Sequence, residues 1–322
     1  MPLFVDHNTG ETFCQEDIEL EDGRRNWKKR KRMSINVSKL MRAYDPARAE
    51  RIKACGTYLE FAIVPDGSRR LHAANFCRER LCPLCQWRRS IKLGWQADQI
   101  YRKLNEEGYK HIFVTLTLRN CAGSELNRTT DLLLSAFSRL KRSKLWKDAI
   151  VGSYRALEIT YNSEKDSYHP HLHILATVED DYFRADNAAY ITKDQLIRAW
   201  RRALGADYDP SVDIAGITQK EGQSITSACA EVCKYPVKSA EIKSSRVLET
   251  IDYALRGRRL IQWAGVAADA RRELQLDDVE TGNLVHTAGE EPTDADIKTI
   301  VFVWRYGLYI PIDFKLIKAE NV

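Results

Sequence analysis

Three histidines alternate with apolar residues in the stretch YHPHLHILATV at 168–178. Because successive side chains of a β-strand point to opposite faces, His169, His171 and His173 share one face of a predicted strand. The residues between them point to the other face, toward a core. Imidazole is a common metal ligand, so this stretch predicts a metal-binding face on a rigid apolar scaffold.

A glutamate faces these histidines if the preceding strand pairs with them as a hairpin. The run YRALEITYN at 154–162 has the composition of a strand, and SEKDS at 163–167 has that of a turn. A hairpin centred on this turn places Glu158 opposite His171. A carboxylate in an apolar strand is costly to bury without a partner. Glu158, His171 and His173 therefore predict a three-ligand site with open positions, which suits catalytic Mn²⁺ or Mg²⁺, or else zinc. The alternative is a half-buried histidine pair without a ligand.

A tyrosine flanked by two lysines lies in the run EVCKYPVK, which is predicted to be helical. Lys234 and Lys238 favour the anionic form of Tyr235, and a phenolate can attack phosphorus. Glu231 lies four residues before the tyrosine, on the same helix face. These four residues are the predicted catalytic group. The alternative for the tyrosine alone is a half-buried structural aromatic residue.

Four of the eight cysteines, Cys55, Cys77, Cys82 and Cys85, have the spacing of a metal site. In a chain that lacks an export signal, such clustering favours a metal over disulfides. A Cys-x-x-Cys turn brings two thiolates to one ion, and two further cysteines complete a tetrahedron. His72 could replace Cys55. A closed four-ligand site has no position for substrate, so the prediction is structural zinc; the alternative is four buried free cysteines.

Basic residues are concentrated in two clusters, although the net charge of the chain is only +5. The predicted DNA-binding residues are Arg24, Arg25, Lys28, Lys29, Arg30, Lys31 and Arg32 in the first cluster, and Arg256, Arg258 and Arg259 in the second. Such clusters suit a polyanionic partner; the alternative for the first is a solvated tail. No apolar run approaches the roughly 20 residues of a membrane-spanning helix. The N-terminus also lacks the features of a signal peptide, so we expect a cytoplasmic protein with no membrane partner.

The order of these features predicts four segments. They are a basic N-terminal arm at 1–54, a zinc-binding cysteine region at 55–92, a catalytic domain at 93–265, and an acidic linker with a strand-rich segment at 266–322. Apolar periodicity predicts a helix that runs from the zinc site to about residue 105 and another from about 129 to 146, and the β-branched run HIFVTLTLRN predicts a strand. A capping box at Thr192 and Gln195 predicts a further helix that ends at Gly205.

Three stretches occur in the order seen in a known family. TLTLRN, YHPHLHIL and EVCKYPVK resemble the three motifs of rolling-circle plasmid replication initiators, within the endonuclease superfamily named for paired histidines around a hydrophobic residue. The cysteine cluster and the GRRL segment are also similar, so the resemblance spans about residues 55–265. It implies an α+β fold with a central antiparallel sheet flanked by helices, here with an N-terminal zinc-binding extension.

The resemblance implies roles at the matching positions. His171 and His173 would be metal ligands, and Glu158 is similar to the upstream acidic ligand. Tyr235 would cut one strand at the double-strand origin, remain joined to the 5′ phosphate and leave a 3′ hydroxyl for the polymerase. Glu231 matches a carboxylate that activates water to end the cycle, and the single tyrosine argues against a two-tyrosine exchange. The implied partners are plasmid origin DNA, single-stranded or cruciform, and a host helicase and polymerase. The implied cofactors are Mn²⁺ or Mg²⁺ and structural Zn²⁺.

Two other functions compete with this one. Histidine-triad nucleotide hydrolases also carry alternating histidines, and there the middle one would be the nucleophile. Those proteins are small and place the motif near the C-terminus, whereas about 150 residues follow it here. A non-enzymatic zinc-knuckle DNA-binding regulator would explain the cysteines and the basic clusters. It would leave Glu158, His171 and Tyr235 without a role.

Overall fold

The computed structural model describes residues 4–5, 12–13, 26–64, 67–217, 242–287 and 297–317. The strands in these ranges are β1 (Phe4–Val5), β2 (Thr12–Phe13), β3 (Tyr58–Ile63), β4 (Arg69–Ala74), β5 (Lys110–Thr117), β6 (Gly152–Asn162), β7 (Ser167–Val178), β8 (Val212–Gly216), β9 (Ile261–Gly265), β10 (Ile297–Arg305) and β11 (Leu308–Ile317). The α-helices are α1 (Trp27–Met41), α2 (Pro46–Ala54), α3 (Pro83–Glu106), α4 (Leu126–Arg142), α5 (Lys144–Ala149), α6 (Lys193–Leu204), α7 (Ser245–Leu255) and α8 (Val266–Glu273).

The fold is α+β, with antiparallel sheets flanked by helices, as expected. The chain divides into two compact units. The first comprises the described residues up to Arg89 together with those from Thr281 onward, and the second comprises the described residues between Ser90 and Glu280.

The second unit is built on a five-stranded sheet with the order β8-β5-β7-β6-β9. Its central strand is β7, which carries the three histidines, and every neighbouring pair is antiparallel. Leu172 and Ile174 are fully buried, as expected of the apolar face of this strand. Helix α4 packs against β7 and buries Leu133, Phe137 and Leu140. Burial of each such side chain stabilises the folded state by about 1.5–3 kcal/mol. The packing of α4 therefore fixes the position of the strand that carries the histidines.

The first unit contains a four-stranded antiparallel sheet with the order β11-β10-β3-β4. Trp27 is 1% exposed and packs edge-on against Phe61 and Trp87, with centroid distances of 5.8 and 4.7 Å. This tryptophan anchors α1, so the part of the basic block from Trp27 onward is a packed amphipathic helix. The sequence had indicated an arm there, because the lysines and arginines outnumber the apolar residues that face inward.

The described helices include none with both the length and the apolar character needed to cross a membrane.

Candidate functional site

The β6–β7 hairpin brings one carboxylate and two imidazoles together. Glu158 pairs with His171, which confirms the predicted register. Glu158 Oε2 lies 3.4 Å from His171 Nε2 and 3.3 Å from His173 Nε2, and the two Nε2 atoms are 3.1 Å apart. Three donor atoms from these residues lie within 4.8 Å of one another. Such convergence of lone pairs is costly unless a proton or a cation lies between them.

Neighbouring groups orient both rings so that Nε2 faces the convergence point. His171 Nδ1 lies 3.1 Å from the backbone oxygen of His169. That oxygen can only accept, so Nδ1 carries the hydrogen and Nε2 keeps a free lone pair. His173 Nδ1 lies 3.3 Å from Thr115 Oγ1 on β5, and Phe113 stacks on the His173 ring at 5.6 Å. Metal-binding histidines are commonly oriented in this way.

The donor set of these three residues, called the Glu-His-His site below, fits a divalent metal. Two imidazole nitrogens and one carboxylate oxygen suit Mn²⁺ or Zn²⁺, or Mg²⁺ with several waters. His173 is half-buried whereas Glu158 and His171 are buried, so the ion would be reached from the His173 side. Three ligands from one hairpin leave coordination positions for a substrate oxygen.

His169 lies beside this site and takes no part in the donor set. Its Nδ1 is 2.7 Å from Asn120 Oδ1, and its ring stacks on that of His171 at 5.2 Å. Burial, and to a smaller degree the neighbouring His171, lower the pKa of His169, so it is neutral at pH 7. Asn120 and Thr115 support the histidines and were not predicted as site residues. Both residues belong to the TLTLRN motif, which could have identified them, because β5 pairs with β7 and places Thr115 opposite His173.

The four predicted cysteines form a second cluster, within the first unit. Cys85 Sγ lies 3.5 Å from Cys55 Sγ and 3.8 Å from Cys77 Sγ, and Cys82 completes a group whose sulfurs all lie within 4.8 Å. Sulfurs at the corners of a ZnS₄ tetrahedron with Zn–S bonds of about 2.3 Å would be roughly 3.8 Å apart. A disulfide needs about 2.05 Å. The geometry fits a four-thiolate metal site with Cys55 as the fourth ligand, in preference to His72.

The environment of Cys82 favours the thiolate that such a site requires. Burial alone would raise the pKa of this thiol, but hydrogen bonds from Cys55, Cys77, Cys85 and Ser34 outweigh burial and hold the pKa well below its usual value. The Ser34 hydroxyl lies 3.5 Å from Cys82 Sγ. Hydrogen bonds with the other thiols of the cluster, together with burial, raise the pKa of Cys55 and of Cys85, so without a cation the thiolate is favoured at Cys82 alone.

Lys31 is a correction to the predicted DNA-binding set. Its side chain is 0% exposed, and its Nζ donates to the backbone oxygens of Lys53 and Cys55, both at 2.6 Å. Burial lowers the pKa of this lysine, whereas the nearby thiols of the cluster raise it. No carboxylate among the described residues forms an ion pair with it. The ammonium is buried beside the cysteine cluster, so it cannot contact DNA in this fold.

Arg258 is a second correction. Its guanidinium is 12% exposed and binds Asp131 Oδ1 and Asn127 Oδ1, at 3.0 Å and 2.9 Å, on helix α4. A guanidinium held in this way ties the segment after α7 to α4 and has a structural role. By contrast, Arg256 and Arg259 are exposed.

The other predicted residues fall into two groups. Lys29 and Arg32 are exposed on α1, and Lys28 and Arg30 are half-buried. The remaining predicted residues lie outside the described residues: Arg24, Arg25, Glu231, Lys234, Tyr235 and Lys238.

The chain matches a family model described as "Replication protein" over residues 68–309. It is similar to a "Protein rep" of Streptococcus pneumoniae serotype 2, with 35% identity over 286 residues that cover 87% of this chain and 89% of that protein. It is also similar to a "Protein rep" of Bacillus amyloliquefaciens, with 35% identity over an alignment of 325 positions that covers 91% of this chain and 95% of that protein. No solved structure gives a significant match.

Proposed function

The chain belongs to the replication protein family and is a plasmid replication initiator; from this premise we propose that it is a metal-dependent nickase of the origin strand. The observation that carries the proposal is the Glu-His-His site, in which the backbone of His169 and the hydroxyl of Thr115 turn both Nε2 atoms toward Glu158. Such an arrangement suits a catalytic metal ion that keeps open coordination positions, and it does not suit a closed structural site.

In the proposed reaction, Tyr235 supplies the nucleophile. Its phenolate oxygen attacks the scissile phosphorus, a phosphotyrosine bond forms to the 5′ side, and the bond from phosphorus to O3′ breaks. The electron pair passes to O3′, which takes a proton from solvent and becomes the 3′ hydroxyl primer. Lys234 and Lys238 favour the anionic phenol. A divalent ion held by Glu158, His171 and His173 would supply Lewis-acid polarisation of a phosphate oxygen.

The geometry speaks against the competing functions. A histidine-triad hydrolase would use His171 as the nucleophile, but the Nε2 of that residue lies 3.1 Å from His173 Nε2 and 3.4 Å from Glu158, as a member of a converging donor set. A zinc-knuckle regulator would need no such set.

The proposed partner is plasmid origin DNA, single-stranded or extruded as a cruciform, in the cytoplasm where plasmids replicate. The 3′ hydroxyl would serve a host polymerase, with a host helicase to unwind the duplex. The proposed DNA contacts are Arg24, Arg25, Lys28, Lys29, Arg30, Arg32, Arg256 and Arg259. Phosphate contacts of this type would position the DNA but would not read its sequence.

Glu158→Gln should sharply weaken both metal binding and nicking. The amide keeps the shape of the side chain but removes the negative charge, and metal stabilisation of a phosphoryl transition state is worth several kcal/mol. We expect Mn²⁺-dependent nicking of a single-stranded origin oligonucleotide to fall by roughly 100-fold or more. Calorimetry should show weaker Mn²⁺ binding. The matched control is Glu164→Gln, which removes the same charge from an exposed turn position. Unchanged Mn²⁺ affinity in Glu158→Gln would remove this residue from the site.

Glu231→Ala should preserve initial nicking and impair release. We propose that this carboxylate activates the water that hydrolyses the protein–DNA bond, because it lies four residues before Tyr235 in a predicted helix. The covalent adduct should persist at least tenfold longer, an effect typical of losing a general base. Gel analysis of adduct against time measures this, with Glu249→Ala on an exposed position of α7 as control. Equal loss of nicking and release would contradict a termination role.

A further inference from the structure

A cavity of about 410 Å³ opens at the β9 edge of the five-stranded sheet. Its walls come from β9, from helix α8 and from residues 278–280, all within the second unit. The volume falls within the range of about 300–1,000 Å³ that is typical of small-ligand pockets. Of its lining residues, only Arg259 has a role in the function proposed above, as a DNA contact.

The cavity presents more hydrogen-bond donors than its own residues satisfy. The side chain of Arg259 is exposed and makes no hydrogen bond or ion pair within the described part of the chain. Arg271 Nε is buried without a hydrogen-bond partner, and its terminal nitrogen lies 4.0 Å from the carboxylate of Asp278. A buried donor without a partner is destabilising. A ligand rich in acceptors would recover that cost.

Arg155 sets the orientation of a third group. This buried arginine donates to the side-chain oxygen of Gln262 at 3.2 Å and to the backbone oxygen of Arg259 at 3.1 Å. With its oxygen occupied, Gln262 keeps the two hydrogens of its NH₂ group for a ligand. Arg155 therefore holds the side chain of Gln262 and the backbone of Arg259 in place.

Trp263 adds a flat apolar wall. Its ring packs against Tyr154 at 4.7 Å and Tyr101 at 6.1 Å, which holds it in place. Trp263 pairs with Tyr154 across the sheet, and Tyr154 lies on the same face of β6 as Glu158, four residues away. Trp263 and the Glu-His-His site therefore share one face of the sheet, whereas Gln262, which pairs with Arg155, lies on the other face at the β9 edge.

We propose that this cavity holds one unpaired nucleotide of the DNA strand, with its base against Trp263 and its phosphate at Arg259 and Arg271. A π surface beside free guanidinium and amide donors is the chemistry by which proteins bind single-stranded nucleotides. The acidic side chains of Asp278 and Glu280 could accept hydrogen bonds from the amino group of a base. This inference rests on the proposed function, and it adds a nucleotide-binding position at a distance from the cleavage chemistry.

The test measures binding of a fluorescein-labelled single-stranded origin oligonucleotide to the full chain by anisotropy, in EDTA to prevent cleavage. Arg259→Gln and Arg271→Gln should each weaken binding by about tenfold, and each should reduce the slope of log K against log salt by about 0.7, as expected for one lost phosphate contact on a single strand. Arg202→Gln is the control, because it removes the same charge from an exposed position of α6. An abasic nucleotide scanned along the oligonucleotide should weaken wild-type binding by roughly tenfold at one position.

That abasic position should cost little further affinity in Arg259→Gln, because the nucleotide has already lost its place in the cavity. Variants that bind like Arg202→Gln, or an abasic scan with no such position, would overturn the proposal. A free deoxynucleoside monophosphate that binds as tightly as the oligonucleotide, and depends on Arg259, would also overturn it by making the cavity a free-nucleotide site.

Nicking by the same proteins in Mn²⁺ separates this inference from the proposed function. If the wild type nicks DNA but Arg259→Gln and Arg271→Gln bind the oligonucleotide as tightly as Arg202→Gln does, only the nucleotide-binding cavity is contradicted. If the two variants lose binding but the wild type does not nick, only the nickase proposal is contradicted.

Discussion

Protein carrying Tyr235→Phe should form no covalent adduct with origin DNA. The substitution removes only the phenolic oxygen, which is the atom proposed to attack phosphorus, and leaves the size and apolar character of the side chain nearly unchanged. Loss of a covalent nucleophile typically lowers the rate by roughly 10³-fold or more. Denaturing gels of a 5′-labelled and a 3′-labelled oligonucleotide, run after incubation with Mn²⁺, would show which DNA end stays with the protein.

Tyr253→Phe is the matched control for that experiment. Tyr253 is 57% exposed on α7, so its hydroxyl can be lost without an effect on packing. We expect wild-type adduct formation from this control. An adduct formed by Tyr235→Phe would show that another residue is the nucleophile, whereas cleavage without an adduct in the wild type would point to direct attack by water.

Joint replacement of Cys82 and Cys85 by serine should abolish binding of the predicted structural zinc and unfold the first unit. Apparent binding energies for four-ligand structural zinc sites are about 10–16 kcal/mol at pH 7, comparable to or larger than the whole stability of a typical domain, about 5–15 kcal/mol. The loss also leaves the buried ammonium of Lys31 without its anionic neighbours. Metal analysis should fall from about one zinc per chain to near zero, and part of the cooperative thermal transition should disappear.

Cys121→Ser provides the control for this loss. Cys121 is also a buried free cysteine, but it lies in the second unit and outside the cluster. The Cys121→Ser substitution makes the same chemical change without removing a metal ligand, so the zinc content of this variant should match that of the wild type. Unchanged zinc in the double variant would contradict the prediction of structural zinc.

Local patterns predicted much of the second unit. The hairpin register followed from alternation and a short turn, and the structure places Glu158 opposite His171 as expected. The capping box at Thr192 and Gln195 and the left-handed Gly205 bound helix α6 as predicted. These features depend on residues that are close in sequence, so local sequence patterns are sufficient to predict them.

Features that depend on distant residues or on competing local signals were not predicted. The expected single helix at 129–146 is two helices, because Ser143 adopts an extended conformation and caps α5 through a bond from the Trp146 amide. Strand β10 pairs with β3 across more than 200 residues of sequence, which no local pattern specifies. The cavity at β9 likewise arises from segments brought together only by folding.

The burial of Lys31 could have been predicted from helical periodicity, but the high density of basic residues around it indicated a surface position. Charge density marked it as a surface residue, yet Trp27, Lys31, Ser34 and Ser38 recur at helical spacing and all are buried. Helical periodicity through the basic block would have placed Lys31 on the inward stripe. Its ammonium donates to the backbone oxygens of Lys53 and Cys55, and this environment depends on tertiary contacts that the local sequence does not specify.

The turn between β6 and β7 has a further consequence, for how this protein can change during evolution. Asp166 accepts hydrogen bonds from Tyr161 and Arg246, but Ser163, Glu164 and Lys165 are exposed and supply no donor atom of the metal site, so their identities are open to substitution. Their number is not, because side chains alternate between the faces of a strand and a one-residue change in register would turn Glu158 away from both histidines. An insertion or deletion that shifts the β6–β7 register by an odd number of residues would therefore destroy the Glu-His-His site, so the turn acts as a spacer between Glu158 and the two histidines.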